Sequence, residues 1–166
     1  MGAIGGAVMG WILGAQDAKQ AKRAKLELNQ NKFNALDPIA KGTGSKQDYY
    51  YAQVHYNEIE DGENLLAISR EAMKRYGDQN WIDSYFENKA LFYLKNYEDA
   101  LTGFEGVLGG IRKDRYGYVE EGEVLFLMAV IQKRNGQSEA ADKLRQEALK
   151  IDRRNNYYYG LRKIPW

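Results

Sequence analysis

Cysteine is absent from the chain, and histidine occurs once, at position 55. No disulfide, thiolate nucleophile, cysteine-ligated metal or palmitoyl anchor is available to such a sequence. Proline occurs twice, at Pro38 and Pro165, so little breaks a helix once it has begun. No serine-hydrolase elbow, phosphate-binding loop, zinc-protease helix motif or calcium loop is present. Carboxylates gather at Glu58, Glu60, Asp61, Glu63 and again at Glu120, Glu121, Glu123. Each group flanks a glycine, Gly62 or Gly122, at an expected turn where solvated charge is the ordinary outcome. No catalytic, cofactor-binding or metal-binding residue is expected.

Excess charge of one sign is also missing, the formal net charge being +1. That argues against a protein held mainly by attraction to nucleic acid. The balance is uneven, however: residues 1–33 carry +3 and the remainder −2. The stretch from Lys150 to Trp166 carries +4 and mixes Arg153, Arg154, Arg162 and Lys163 with Tyr157, Tyr158, Tyr159 and Trp166. Cations among aromatics suit a protein interface. Only a weak hold on single-stranded nucleic acid would come from the same residues.

What is present is most distinctive at the start. Gly2, Gly6, Gly10 and Gly14 recur every four residues in a stretch that carries no side-chain charge until Asp17. On a helix they form one smooth stripe, along which a second helix approaches to backbone contact. Each interior glycine costs about 1 kcal/mol of helix stability relative to alanine, so the segment needs a partner helix or a bilayer. The run falls short of the roughly 20 apolar residues that cross a membrane core. It has no cation before it and no small-residue cleavage site, as a secretory signal would. Gly6 stands where myristoylation wants Ser or Thr. The cations Lys19, Lys22, Arg23 and Lys25 that follow suit the surface of an anionic membrane, and equally the solvated side of a long helix.

Residues 15–33 are rich in Ala, Gln, Lys, Leu and Glu, which predicts one long helix over 1–33. Residues 34–47, with Asp37-Pro38 and Lys41-Gly42-Thr43-Gly44-Ser45, read as a linker. Ser45 and Asp48 have the spacing of a capping box that opens the next helix.

Beyond the linker the chain repeats. Asn88-Lys89-Ala90-Leu91-Phe92-Tyr93-Leu94-Lys95-Asn96-Tyr97-Glu98-Asp99-Ala100, with Phe104, Val107 and Leu108, resembles a tetratricopeptide repeat. A second match surrounds Gly136, with Leu125, Met128 and Ala129 before it and Ala141, Ala148, Leu149, Ile151 and Asp152 after it. A third has Tyr51, Val54, His55, Gly62 and Ala67. The anchors Ala67, Ala100 and Ala141 are 33 and 41 residues apart, which places an insertion within 109–122. His55 and Asn88 stand where the family has a small residue, and Lys95 where it has the turn glycine. The resemblance implies an all-α fold: a long amino-terminal helix, then three helical hairpins over 48–153, with 154–166 as a basic aromatic tail. Three stacked hairpins suffice to bury a continuous core.

The family binds partners in a groove lined by first helices. Its groove positions fall on Tyr49, Tyr56, Tyr85, Lys89, Phe92, Tyr93, Phe126 and Arg134. An aromatic surface of this kind fits an apolar helix better than an acidic peptide terminus. The same stripe is also what a hairpin core looks like, and His55 reads as a packed core residue.

The function expected is non-catalytic assembly through protein partners, including copies of the chain itself, with membrane contact through residues 1–33. Residues 1–33 resemble in composition the glycine-rich starts of phage ejection and internal virion proteins, which implies a virion location. The hairpins imply the alternative, a bacterial adaptor on the cytoplasmic face of the inner membrane.

Overall fold

A computed structural model describes residues 18–77, 81–114 and 118–155. The described residues are all-helical, without a strand: α1 (Ala18–Ala40), α2 (Lys46–Glu58), α3 (Gly62–Tyr76), α4 (Trp81–Tyr93), α5 (Tyr97–Ile111), α6 (Tyr118–Arg134) and α7 (Ser138–Asn155). Among them no helix is long and apolar enough to cross a membrane. The glycines Gly2, Gly6, Gly10 and Gly14 lie outside the described residues.

Three pairs of helices are joined by three-residue turns of one design. In the first, Asp61 N–H donates to Tyr56 O and Glu60 N–H to Asn57 O; in the second, Asn96 N–H to Leu91 O and Lys95 N–H to Phe92 O; in the third, Gln137 N–H to Gln132 O and Gly136 N–H to Lys133 O. This six-to-one and four-to-one pattern satisfies carbonyls that a helix end would leave bare. The middle residue of each turn is left-handed, with φ of 55° at Glu60, 63° at Lys95 and 77° at Gly136. Only the third turn uses the residue that adopts this conformation without a Cβ penalty.

The turns also fix the register of the repeat. Five residues beyond each turn centre stand Leu65, Ala100 and Ala141, all fully buried. The expected anchor Ala67 is exposed. The first interval is therefore 35 residues rather than 33, while the second remains 41. The longer interval arises partly because α6 has 17 residues where α4 has 13, and partly from the connection ahead of α6. Seven residues before each turn centre stand Gln53, Asn88 and Ala129, all buried. His55 is only half-buried, so the place assigned to it in the seam belongs to Gln53.

The expected linker is shorter than its composition implies. Helix α1 continues through residues 34–40, with Pro38 inside its last turn. Burial of Ala35, with half-buried Leu36 and Ile39 beside it, carries the helix past the proline. It ends where Gly42, at φ 72°, lets Thr43 N–H reach Pro38 O at 2.9 Å. Ser45 then caps α2 through the expected capping box with Asp48. Asp61 caps α3 by accepting from Asn64 N–H at 3.1 Å, and these bonds from Asn64 hold its carboxyl below the usual range.

The described residues divide into two compact units, one up to Gly103 and the other from Phe104. In the first, α1 packs on α2, α2 on α3 and α3 on α4, and α2 also touches α4. Lys32 of α1, 3 % exposed, reaches Glu58 at the end of α2 in an ion pair. In the second, α6 packs against α7. Val124, Leu125, Phe126, Met128, Ala129 and Ile131 are buried there with Ala141 and Ala148. Arg112 ties the connection to both helices, through Glu121 at 2.7 Å and Glu147 at 2.9 Å. The bond to Glu121 raises the guanidinium's affinity for its proton.

Candidate functional site

Trp81, Tyr85, Lys89 and Tyr93 follow one another at four-residue intervals, which places them along one face of α4. The ammonium of Lys89 lies 5.3 Å from the centroid of the Tyr85 ring and 6.0 Å from that of Tyr93. Its Nζ donates to Tyr85 Oη at 3.4 Å. A lysine 4 % exposed is costly unless its charge meets compensation. Here two ring faces supply part of it. Tyr93 Oη in turn donates to Asn57 Oδ1 of α2 at 2.9 Å, which fixes the end of the row against the neighbouring helix.

Helix α2 contributes the other wall. Tyr50 meets Phe86 edge-on at 6.2 Å and lies tilted to Tyr51 at 5.9 Å. Phe86 lies 5.2 Å from Tyr85, which packs edge-on to Trp81 at 6.1 Å. The same helices also share buried polar side chains. Gln53 Nε2 donates to Asp83 Oδ1 of α4 at 3.0 Å and to Ser69 Oγ of α3 at 3.3 Å, so one amide joins three helices. Asn88 donates to Ser84 O at 2.7 Å. A Cβ on Gly103 would fall 1.7 Å from Asn88 Oδ1, so the Asn88 amide fits only because position 103 has no side chain.

The expected groove residues part company in this arrangement. Tyr85, Lys89 and Tyr93 come together. Tyr49 faces α3 instead, where it is buried and donates from Oη to Glu71. Burial and that bond push its phenol up to about 12. Phe92 packs edge-on to Tyr97 at 5.5 Å, and half-buried Tyr56 lies beside His55 at 5.2 Å. Phe126 and Arg134 belong to α6 in the other unit, the first buried in its core and the second exposed. Lys19, Lys22, Arg23 and Lys25 occupy α1 ahead of Leu26, the first side chain described.

Tyr50, Tyr51, Trp81 and Phe86 were missed by the sequence reading, although the four-residue row from Trp81 to Tyr93 was available as a signal. Gln53 carried none, because its role depends on the register of the turn.

Chemically, the site offers the half-buried rings of Tyr50, Tyr51, Trp81 and Tyr93 beside the buried rings of Tyr85 and Phe86 and the buried cation of Lys89. Among the described residues no cluster of His, Cys, Asp or Glu is arranged to hold a metal ion. The arrangement suits contact with apolar surface. No protein-family model, no curated protein and no solved structure matches the chain.

Proposed function

We propose that the chain is a non-catalytic assembly protein whose tetratricopeptide-like hairpins recruit a protein partner. An amphipathic helix of that partner lays its apolar side on the aromatic face of α2 and α4. The observation that carries this reading is the set of half-buried rings Trp81, Tyr93, Tyr50 and Tyr51, held by the buried Tyr85, Phe86 and Lys89 that they touch directly or through one another. Aromatic residues are the usual anchors of protein interfaces because each brings a large contact area at little entropic cost. The adaptor reading draws support from these hairpins. The virion reading rests on the composition of residues 1–33 and needs the amino-terminal glycine helix to pack in an oligomer or a membrane.

Selection of helical peptides from a random library on the full chain tests the proposal. Peptides with apolar residues at i, i+3, i+4 and i+7 are expected to be enriched, and Tyr50→Ala with Tyr51→Ala is expected to weaken them at least tenfold, the loss of about 1.4 kcal/mol or more that an anchor carries. No enrichment, or equal binding by the double variant, refutes it.

A further inference from the structure

Asn135-Gly136 is the one place in the sequence where asparagine precedes glycine, and Asp61-Gly62 the one place where aspartate does. Both pairs lie in turns that close a hairpin. A backbone nitrogen can attack the side-chain carbonyl carbon of the residue before it and close a cyclic imide. Glycine hinders that approach least, because it has no Cβ. Every other asparagine is followed by a residue that has one.

The surroundings of the two pairs differ. Asp61 has both carboxylate oxygens held by Asn64, Oδ1 by the backbone N–H at 3.1 Å and Oδ2 by Nδ2 at 2.7 Å. These bonds favour its ionised form, and an ionised carboxylate is a poor electrophile. Gly62 is buried, and a Cβ there would fall 2.9 Å from Leu94 and 3.1 Å from Ala90 O, so its backbone has no room to swing. Asn135, by contrast, is exposed, and its side-chain amide makes no hydrogen bond among the described residues. Gly136 is exposed too, and a Cβ there would meet nothing within 4 Å. The amides of Asn57, Asn64, Asn88 and Asn96 are engaged by Tyr93, Asp61, Ser84 and Asp99. Gly136 N–H donates to Lys133 O at 3.1 Å, and this bond must open before the nitrogen attacks. In an exposed turn it opens locally, without unfolding of the helices.

We infer that Asn135 is a site of spontaneous covalent modification, at which the Gly136 nitrogen displaces ammonia from the side-chain amide and hydrolysis of the imide leaves isoaspartate in the turn between α6 and α7. Gly136 N bonds to Asn135 Cγ and gives its proton to hydroxide, while the departing amide nitrogen takes a proton from water and leaves as ammonia. Water then opens the imide at either carbonyl. Opening at Cγ leaves aspartate, whereas opening at the main-chain carbonyl leaves Cβ and Cγ in the backbone as isoaspartate. The longer backbone falls within the loop closed by Gln137 N–H and Gln132 O at 2.9 Å, so the bonds that close this turn are lost together. Either product places a carboxylate at the C-terminal end of α6, where the helix dipole opposes it. The reaction thus loosens one hairpin with time. It involves neither α2 nor α4, so it stands or falls apart from the partner proposed for their aromatic face.

Incubation of the full chain in mildly alkaline buffer, followed by peptide mapping, decides the matter. Ammonia is expected to be released as isoaspartate and aspartate appear at position 135, at least tenfold faster than at any other described asparagine and than isoaspartate appears at Asp61. The rate should rise with hydroxide concentration. Gly136→Ala is expected to slow the reaction at least tenfold, because the added Cβ shields the nitrogen. Freshly made Asn135→Asp has the new charge without the longer backbone, and it is expected to unfold in urea close to the wild type. The isolated isoaspartate form is expected to unfold at a clearly lower midpoint. Modification that comes first at another residue, a rate untouched by Gly136→Ala, or an isoaspartate form as stable as Asn135→Asp each overturn the inference.

Discussion

Hairpin α2–α3 and hairpin α6–α7 close with the same turn yet hold together by opposite means. In the second, the position seven residues before the turn centre carries Ala129, fully buried on a helix whose Val124, Leu125, Met128 and Ile131 are buried too. In the first, the equivalent position carries Gln53, also fully buried, whose amide links Ser69 and Asp83. Its Oε1 has no hydrogen bond among the described residues, which costs stability that an alanine would not forfeit. Small residues give closeness without obligation, whereas the amide gives a fixed alignment of three helices only while its partners stay in place. A hairpin geometry can therefore be reached by apolar packing or by a buried polar link. The surroundings differ too, since the polar link joins α2 and α4, the two helices that carry the aromatic face.

Exchanging the two solutions breaks the comparison most severely. Ala129→Gln should cost roughly 2–6 kcal/mol, combining overpacking of about 1–3 kcal/mol with an unpaired buried amide of similar cost. Gln53→Ala should cost less, about 1–3 kcal/mol, because the shortened side chain leaves Asp83 and Ser69 a partner short but crowds nothing. Urea unfolding of both variants checks the order, and a Gln53→Ala loss equal to or larger than that of Ala129→Gln would sink the distinction.

Alkali sharpens it next. Tyr49 titrates at about 12 in the fold and near 10 when unfolded. The folded protein therefore holds this proton more tightly. The stability so gained is complete below pH 10 and is lost as pH rises toward 12, amounting to roughly 2–3 kcal/mol in all. Tyr49→Phe should flatten that decline while giving up the bond to Glu71 at neutral pH. Urea midpoints from pH 9 to 12 provide the measurement, and parallel curves for the two proteins would contradict it.

The smallest effect lies in the turns. Lys95→Gly should stabilise by about 0.5–1 kcal/mol and Gly136→Ala destabilise by about 1 kcal/mol, since only glycine takes a left-handed φ without steric cost. Thermal unfolding resolves changes of this size. A Lys95→Gly protein less stable than the wild type would mean that the side chain of Lys95 repays its strain elsewhere.

Much of the fold was legible because hairpins are built from local signals. The capping box at Ser45, the turn at Gly136 and the small residues Ala100 and Ala141 all act over a few positions. The misplacement of Ala67 has a physical source: alanine is also an ordinary surface residue of a helix, and in the first hairpin the tight place beyond the turn is filled by Leu65 instead. The linker was drawn too long because Asp37-Pro38 reads as a stop, and burial of Ala35 beside half-buried Ile39 outweighs it. Of the groove positions, those at four-residue spacing on α4 came together. Tyr49 did not, since which side of α2 meets α3 depends on long-range packing that no local pattern encodes.

The turn itself has a consequence for how the molecule is made. Its closing bonds link residues no more than five apart in sequence, and each second helix follows its turn at once. A nascent chain can thus complete the α2–α3 hairpin once Tyr76 has left the ribosome, without waiting for α6 or α7 to be synthesised. Contacts that close such short loops form quickly, and domains assemble in the order of synthesis. The polar link at Gln53 is the exception, because Asp83 emerges only with α4. Until then the amide has Ser69 alone, and the first hairpin waits, closed but not yet aligned, for the helix that will carry Lys89.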